Sequence, residues 1–476
     1  MTAAWACVLL VVLGVETLVP GTTWSPYNKL VISPGVDHGQ KFYAISANGV
    51  PHQIMGSADM RLNSGEHIYG APYERFPGNS LKDVLIVGAG SGSDVAVALK
   101  KGAGHVDAVD IDPKIMALGA ELHPDRPYSD PRVSRHVNDG RAFLENTDRK
   151  YDLILFALPD SLTLVSGGSQ IRLESFLFTR ESLRAVREHL KPDGGFAMYN
   201  YYREPWLIDR LAGTAEAAFG HPPCVDTYAK LQAVVSIARN ASDQVCAPTQ
   251  SARAPLVSVA PATDDRPFVY FRGGAFPPLY MTTLLCIFVA SLVTVRGLGG
   301  PLRNMRPYAD LFFMGVAFLL LETKNVATFA MLFGTTWLVN ALVFAGVLLI
   351  VLAAVETTRF FRKVPLPVVF IGIAASLALA WMIKPEFLLQ LSYFPRLIAA
   401  TVLAFLPIFL ANVAFSKRFE GSSDSQGAFA VNLLGAILGG CLEYSALYLG
   451  YNNLLILTGL LYLAAFLLVP RSRVPG

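Results

Sequence analysis

The segment Val84-Leu-Ile-Val-Gly-Ala-Gly-Ser-Gly-Ser-Asp94 constrains this chain more than any other stretch. Four consecutive apolar residues read as a buried strand, and Gly88, Gly90 and Gly92 follow at once. Asp94 then opens an apolar-periodic run from Val95 to Leu99. A strand, a glycine turn and a helix start form the nucleotide-binding crossing of a doubly wound α/β domain. Glycine serves there because a side chain would keep a ligand from the backbone amides. The same chain ends in a long series of apolar segments, so a nucleotide-type site is joined to a bilayer bundle.

The composition agrees with a membrane protein: 53% of the 476 residues are hydrophobic and only 16% charged. The net charge of +3 comes without a basic tract, which argues against a nucleic-acid partner. Membrane spans are expected near 277–296, 309–333, 335–356, 365–383, 393–415, 427–449 and 452–470, a bundle of about seven helices within residues 274–476. Residues 3–19 are apolar, with no Lys or Arg before them, so residues 1–22 are expected to form an N-terminal membrane helix. Glu322 and Lys324 lie inside one apolar run; two residues apart they do not face each other, and Glu443 is a candidate partner for Lys324.

Basic residues alternate along the bundle. Arg296/Arg303/Arg306, Arg359/Arg362/Lys363, Lys417/Arg418 and Arg471/Arg473 fall on one side, and the loops near 334, 386–391 and 451 are almost uncharged. The positive-inside tendency makes the basic loops cytoplasmic. A full crossing by 277–296 then puts the preceding domain outside, whereas nucleoside cofactors are made inside. On chemical grounds the expectation is a multi-pass cell-membrane protein with a cytoplasmic soluble domain, reconciled by a re-entrant 277–296. The cysteines, Cys7, Cys224, Cys246, Cys286 and Cys441, show no metal spacing, and no metal is expected. Cys224 and Cys246 are expected to be free thiols; a pair is the alternative in an oxidising space.

Ahead of the glycine turn, residues 23–80 read as a β-hairpin module with turns at Ser-Pro-Gly 33–35 and Ala-Asn-Gly 47–49. Residues 81–273 alternate strand signals (83–87, 106–110, 133–136, 152–156, 195–199) with helix signals (94–101, 113–120, 140–145, 179–190, 204–218), which implies a largely parallel sheet. Asp110 ends the second strand, where a carboxylate accepts both hydroxyls of a ribose; Asp112 is the alternative. Asn138-Asp139-Gly140 follows the third strand, and a carboxylate there can accept from an adenine amino group. This order suggests adenosine across the carboxyl ends of the strands. Spacing alone does not separate a dinucleotide from S-adenosylmethionine.

With these residues in view, the chain resembles the spermidine/spermine synthase family of aminopropyltransferases, and in particular its membrane-fused bacterial branch. The resemblance covers roughly residues 24–220. It runs through Ser25-Pro-Tyr-Asn-Lys-Leu, Ala47-Asn-Gly-Val-Pro-His-Gln53, Glu66-His-Ile-Tyr69 and Pro77 to the glycine turn, then Tyr151-Asp-Leu-Ile-Leu-Phe, Phe176-Leu-Phe-Thr-Arg-Glu and Leu190-Lys-Pro-Asp-Gly-Gly. Phe318 to Asn340 is similar to the membrane portion of the fused relatives. The resemblance implies an α/β Rossmann-like S-adenosylmethionine-type domain fused to an α-helical transmembrane bundle. It implies decarboxylated S-adenosylmethionine as co-substrate, transfer of its aminopropyl group to an amine, release of methylthioadenosine, and a homodimer. It also implies Asn28 near the ribose, Asp110 on the ribose hydroxyls, Asp139 on the adenine beside Gly140, Tyr69 lining the transfer site and Asp160 holding the nucleophile.

Two positions depart from the family pattern. Ser91 stands where the family's turn carries an Asp for the aminopropyl ammonium, and Ala157 stands where its catalytic carboxylate follows the fourth strand. A neutral Ser91 opens the site to S-adenosylmethionine itself, whose carboxylate would meet amides of the turn. The remaining candidates are Asp160, Arg172 and Glu174 beyond a Ser166–Ser169 lid, with Tyr69, Tyr199, Tyr201 and Tyr202 as an aromatic wall against a sulfonium. The expected function is a membrane-integrated transferase acting on an amine or lipid-like acceptor. The alternatives are a methyltransferase, a lyase or cyclase on the same nucleoside, and a non-catalytic sensor gating a transport bundle.

Overall fold

A computed structural model of the chain describes residues 2–76, 80–157, 175–202, 204–228, 232–246, 259–358 and 360–470. It divides into two units, Met1–Arg272 and Gly273–Gly476.

In the first unit, helix α1 (Thr2–Thr17) precedes four antiparallel strands, β1 (Thr22–Trp24), β2 (Lys29–Asp37), β3 (Gln40–Ala47) and β4 (Val50–Met55), in the order β1-β2-β3-β4. Asn48 and Gly49 make the β3–β4 turn with φ of 51° and 82°, the backbone a two-residue hairpin demands. The expected turn at 33–35 is corrected: those residues lie inside β2, and the chain reverses at His38-Gly39. Pro34 is tolerated there because β1 pairs only as far as Val31, leaving that stretch of β2 as an edge. Leu30, Ile45, Ala47 and Met55 point inward and pack on Ile115 and Leu118. Two short helices follow, α2 (Ala58–Asn63), whose first turn Ser57 caps, and α3 (Ala71–Glu74).

The glycine-turn region builds a seven-stranded sheet from β5 (Asp83–Val87), β6 (His105–Asp110), β7 (Val133–Val137), β8 (Tyr151–Ala157), β9 (Leu190–Tyr201), β10 (Cys224–Thr227) and β11 (Gln232–Ala238). Its order is β10-β11-β9-β8-β5-β6-β7. The first five strands in sequence pair in parallel, and β10 and β11 add an antiparallel hairpin. The crossovers are α4 (Ser93–Lys100), α5 (Pro113–Leu122), α6 (Gly140–Asn146), α7 (Arg180–Glu188) and α8 (Pro205–Phe219). Asp112, Asp139 and Thr179 cap α5, α6 and α7 by accepting from first-turn amides, and Gly220 at φ 85° ends α8. Alternate strand residues feed two cores. Val84, Ile86, Leu153, Leu155, Ala197 and Tyr199 face one side; Leu85, Val87, Ile154, Phe156, Phe196 and Met198 face the other.

Long-range pairs close this unit. Arg141 and Asp264, both buried, form a bidentate ion pair at 2.5 and 2.6 Å, and Thr179 donates to the same carboxylate at 2.7 Å. Arg210 donates to the carbonyls of Phe268, Val269 and Phe271. Cys224 and Cys246 form a disulfide, which corrects the expectation of two free thiols. The pairing is decided by β10 lying against β11, which brings residues 22 apart in sequence within 5.4 Å at Cα.

The second unit is helical: α9 (Pro278–Gly299), α10 (Ala309–Phe333), α11 (Trp337–Thr358), α12 (Leu366–Met382), α13 (Pro385–Leu389), α14 (Tyr393–Glu420), α15 (Ser425–Leu442), α16 (Ala446–Leu449) and α17 (Tyr451–Leu468). Among the described residues six helical stretches are long and apolar enough to cross a membrane, and Leu366–Met382 is a shorter apolar helix. The expected span 427–449 is interrupted by a 3₁₀ turn at Glu443–Ser445. Small residues let α10 and α15 approach closely: a Cβ on Gly435 would strike the Phe312 carbonyl, and one on Gly315 the Asn432 carbonyl. Polar side chains satisfy backbone inside the bundle, Asn325 Nδ2 on Ala404 O and Asn432 Nδ2 on Leu311 O, both at 2.9 Å.

Candidate active site

The glycine turn joins β5 to α4 with Gly88, Gly90 and Gly92 at φ of 79°, 52° and 96°, a backbone that side chains resist. Its amides are all engaged within the protein. Gly88 N and Ala89 N donate to Val109 O, Gly90 N to Asp110 Oδ2 at 2.8 Å, Ser91 N to Gln53 Oε1 at 2.9 Å and Gly92 N to Ala89 O. The amides that the sequence assigns to the ligand are thus those that donate here to Val109, Asp110, Gln53 and Ala89.

Asp110 ends β6 at the carboxyl-terminal rim of the sheet, beside the glycine turn. Its Oδ1 accepts from Asp112 N at 2.8 Å, so both carboxylate oxygens hold backbone amides. Burial pushes its pKa up to about 6 against these amide bonds. Asp112 is committed as the cap of α5, with Oδ1 accepting from Lys114 N at 2.9 Å. Asp139 caps α6 through Ala142 N at 3.0 Å, and Gly140 packs so tightly that a Cβ would strike Val87. Asn28 sits on the hairpin sheet and accepts from Asn48 Nδ2 at 2.8 Å. Gln53 of β4 is the hairpin side chain that reaches the turn, accepting from both Ser91 N and Ser91 Oγ (2.7 Å).

Beside the turn lies a group of tyrosines and carboxylates. Tyr69 and Tyr199 meet edge to face at 5.7 Å, and the Arg61 guanidinium lies 4.7 Å from the Tyr69 ring centroid. Burial, partly offset by Arg61, raises the Tyr69 hydroxyl to about 12, so it stays protonated. Tyr199 Oη donates to Asp94 Oδ1, and Tyr201 Oη donates to Glu66 at 2.6 Å. Arg61 is also 3.9 Å from Glu66. The expected aromatic wall thus gathers Tyr69, Tyr199 and Tyr201, whereas Tyr202 packs into the core on the opposite face of the sheet.

Ala157 ends β8 and pairs in register with Tyr199. Asp160, Arg172, Glu174 and the Ser166–Ser169 loop lie outside the described residues. Sequence reasoning overlooked Gln53, Arg61, Glu66 and the role of Asp94. The signal available for Asp94 was an acid directly after the glycines; Gln53 stood at the end of a quoted motif without a partner. The arrangement brings together a strand-end carboxylate, Asp110, and the rings of Tyr69 and Tyr199, with Asp139 capping the helix that follows the next strand.

Residues 65–229 match the family model described as the spermine/spermidine synthase domain. That model covers the later part of the resemblance read from the motifs, from Glu66-His-Ile-Tyr69 onward, and leaves the motifs at 25–30 and 47–53 outside it. Curated relatives include polyamine aminopropyltransferase 2 of Hyperthermus butylicus, 36% identical over 135 residues (27% of this chain, 41% of the relative). Another is the polyamine aminopropyltransferase of Clostridium perfringens, 30% identical over 141 residues (29% of this chain, 46% of the relative). The chain thus spans less than half the length of these relatives. Among solved structures, a probable spermidine synthase from Corynebacterium glutamicum has a TM-score of 0.36 at 18% identity, covering 47% of this chain and 81% of that one. Spermidine synthase from Thermotoga maritima has a TM-score of 0.34 at 15% identity, covering 54% and 88%.

Proposed function

We propose that this chain is a membrane-integrated, spermidine synthase-like transferase that moves an aminopropyl-type group from decarboxylated S-adenosylmethionine, or S-adenosylmethionine itself, to an amine or lipid-like acceptor and leaves methylthioadenosine. The observation that carries this reading is the strand end beside the glycine turn, where Asp110 accepts from Gly90 N and Asp112 N and the amides of Gly88 to Gly92 are engaged within the protein. Such a site takes a nucleoside and offers its sulfonium to the rings of Tyr69 and Tyr199. The sulfonium already carries the driving force, so the protein supplies position and a proton acceptor. Methyl transfer is the second reading, favoured by Ala157, which removes a strand-end acid from the site.

The test is product identity. Purified full-length chain is incubated with labelled sulfonium nucleosides and a membrane extract. Methylthioadenosine together with an alkylated acceptor supports the proposal. Adenosylhomocysteine supports methyl transfer, methylthioadenosine without an acceptor product supports a lyase, and binding without any product supports a sensor.

The side of the membrane is read differently from the cofactor-based expectation. A disulfide in the first unit belongs in an oxidising compartment, and the basic loop Arg296/Arg303/Arg306 follows the first bundle helix at its carboxyl end. Both support the first unit lying on the outer side of the cell membrane, with 278–299 crossing in full. The sulfonium nucleoside must then reach the outer face. In intact cells, Cys224 and Cys246 should react with an impermeant maleimide after mild reduction with an impermeant phosphine; labelling only after lysis would return the unit to the cytoplasm.

A further inference from the structure

The strand end where the family resemblance implies a carboxylate has none, yet a buried carboxylate stands next to it on another element. Ala157 closes β8, buried, and its register partner on the parallel neighbour β9 is Tyr199. Both side chains belong to the same face of the sheet. From there the Tyr199 hydroxyl donates to Asp94 in the first turn of α4. Tyr69 and Tyr73 both lie within reach of the Asp94 charge, and the buried Tyr73 Oη has no hydrogen-bond partner among the described residues. The cation near this group is Arg61, which is shared with Glu66 and the Tyr69 ring. Among the described residues the Asp94 carboxylate accepts from the Tyr199 hydroxyl and feels the Arg61 charge; burying a carboxylate costs folding energy, and such arrangements cluster at sites of proton transfer.

We propose that Tyr199 and Asp94 together supply the base that Ala157 has removed, with Tyr199 as the catalytic residue touching the acceptor and Asp94 as the positioning residue behind it. The inference rests on the transferase reading above. The acceptor nitrogen bonds to the propyl carbon while that carbon's bond to sulfur breaks and the electron pair leaves on methylthioadenosine. The ammonium so formed gives a proton to the Tyr199 oxygen as the Tyr199 proton passes to Asp94, and Asp94 returns it to solvent when product leaves. Burial holds the Asp94 carboxyl above the ordinary carboxylate range, which brings its proton affinity nearer to that of the group it serves.

Full-length protein is assayed for methylthioadenosine release and, by calorimetry, for methylthioadenosine binding. Asp94→Asn and Tyr199→Phe should each slow release by about 100-fold or more while leaving nucleoside affinity within about threefold. Release by the unaltered protein should rise with pH along a limb that Asp94→Asn abolishes, and Asp94→Glu should restore part of the rate. A merely helix-capping acid would change melting temperature and leave the limb in place. Release by Asp94→Asn at the unaltered rate, retention of the limb, or loss of nucleoside binding in step with release overturns the proposal. If the unaltered protein binds methylthioadenosine but releases none from any sulfonium nucleoside, the transferase reading itself fails and this one falls with it.

Discussion

The two rims of the seven-stranded sheet handle carboxylates in opposite ways. At the amino-terminal rim, Asp83, Asp107 and Asp152 are surrounded by cations. Lys191 Nζ bridges Asp83 and Asp152 at 2.7 and 2.8 Å, and Arg149 reaches Asp107 at 2.7 Å and Asp83 at 3.3 Å. His136 and the Tyr151 hydroxyl complete Asp107 at 2.8 and 2.9 Å. At the carboxyl-terminal rim, Asp94 is buried and Asp110 half-buried, with a phenol and backbone amides as their hydrogen-bond partners. Burial acts on both rims. At Asp83 it is outweighed by the Lys191 hydrogen bond and the charges of Lys191, Arg149 and His105, so the pKa falls; at Asp110 it wins, and the pKa rises. One rim is saturated and stabilises the fold, and the other keeps carboxylates with capacity to spare.

This contrast can be broken at several points. The largest effect should follow Asp107→Ala, which strips four partners of their shared acceptor: a loss of about 3 kcal/mol in denaturant unfolding, with methylthioadenosine affinity unchanged. Asp110→Asn should do the reverse, weakening nucleoside binding by about 10- to 100-fold in calorimetry with little change in melting. Lys191→Met should cost about 1–2 kcal/mol and flatten the acid side of the stability profile. The sign follows from Asp83: its lowered folded pKa gives stability present above the unfolded value and lost as pH falls through the folded one.

The smallest effect is a pH dependence of opposite sense at the mouth. Asp110, raised to about 6, contributes stability below its unfolded pKa of 3.8 that is lost as pH rises through about 6. Under the proposed function its ionised form is the one that would accept two ribose hydroxyls. Nucleoside affinity measured by titration should therefore weaken as pH drops through about 6, by up to about tenfold per unit, while Asp110→Asn removes the dependence.

Much of this was legible because it is local. The glycine turn follows from a buried strand meeting residues that tolerate positive φ. Asp112, Asp139 and Thr179 cap helices because each stands where first-turn amides need an acceptor. The mouth itself was only half legible. Gln53 reaches Ser91 across 38 residues and Tyr199 reaches Asp94 across 105, and no periodicity encodes such meetings. The Ser-Pro-Gly stretch misled because Pro34 reads as a turn until the end of β1 makes it an edge.

By itself the sequence determined the α/β crossing, the order of the acids after it and the apolar helices, since hydrogen bonding along one segment and burial of one face depend on residues a few positions apart. Tertiary structure alone decided which acceptors engage the amides of the turn, which cysteine meets which, and which carboxylates find a cation. Those outcomes depend on the strand order β10-β11-β9-β8-β5-β6-β7, which brings distant residues together only after the chain has crossed over the sheet.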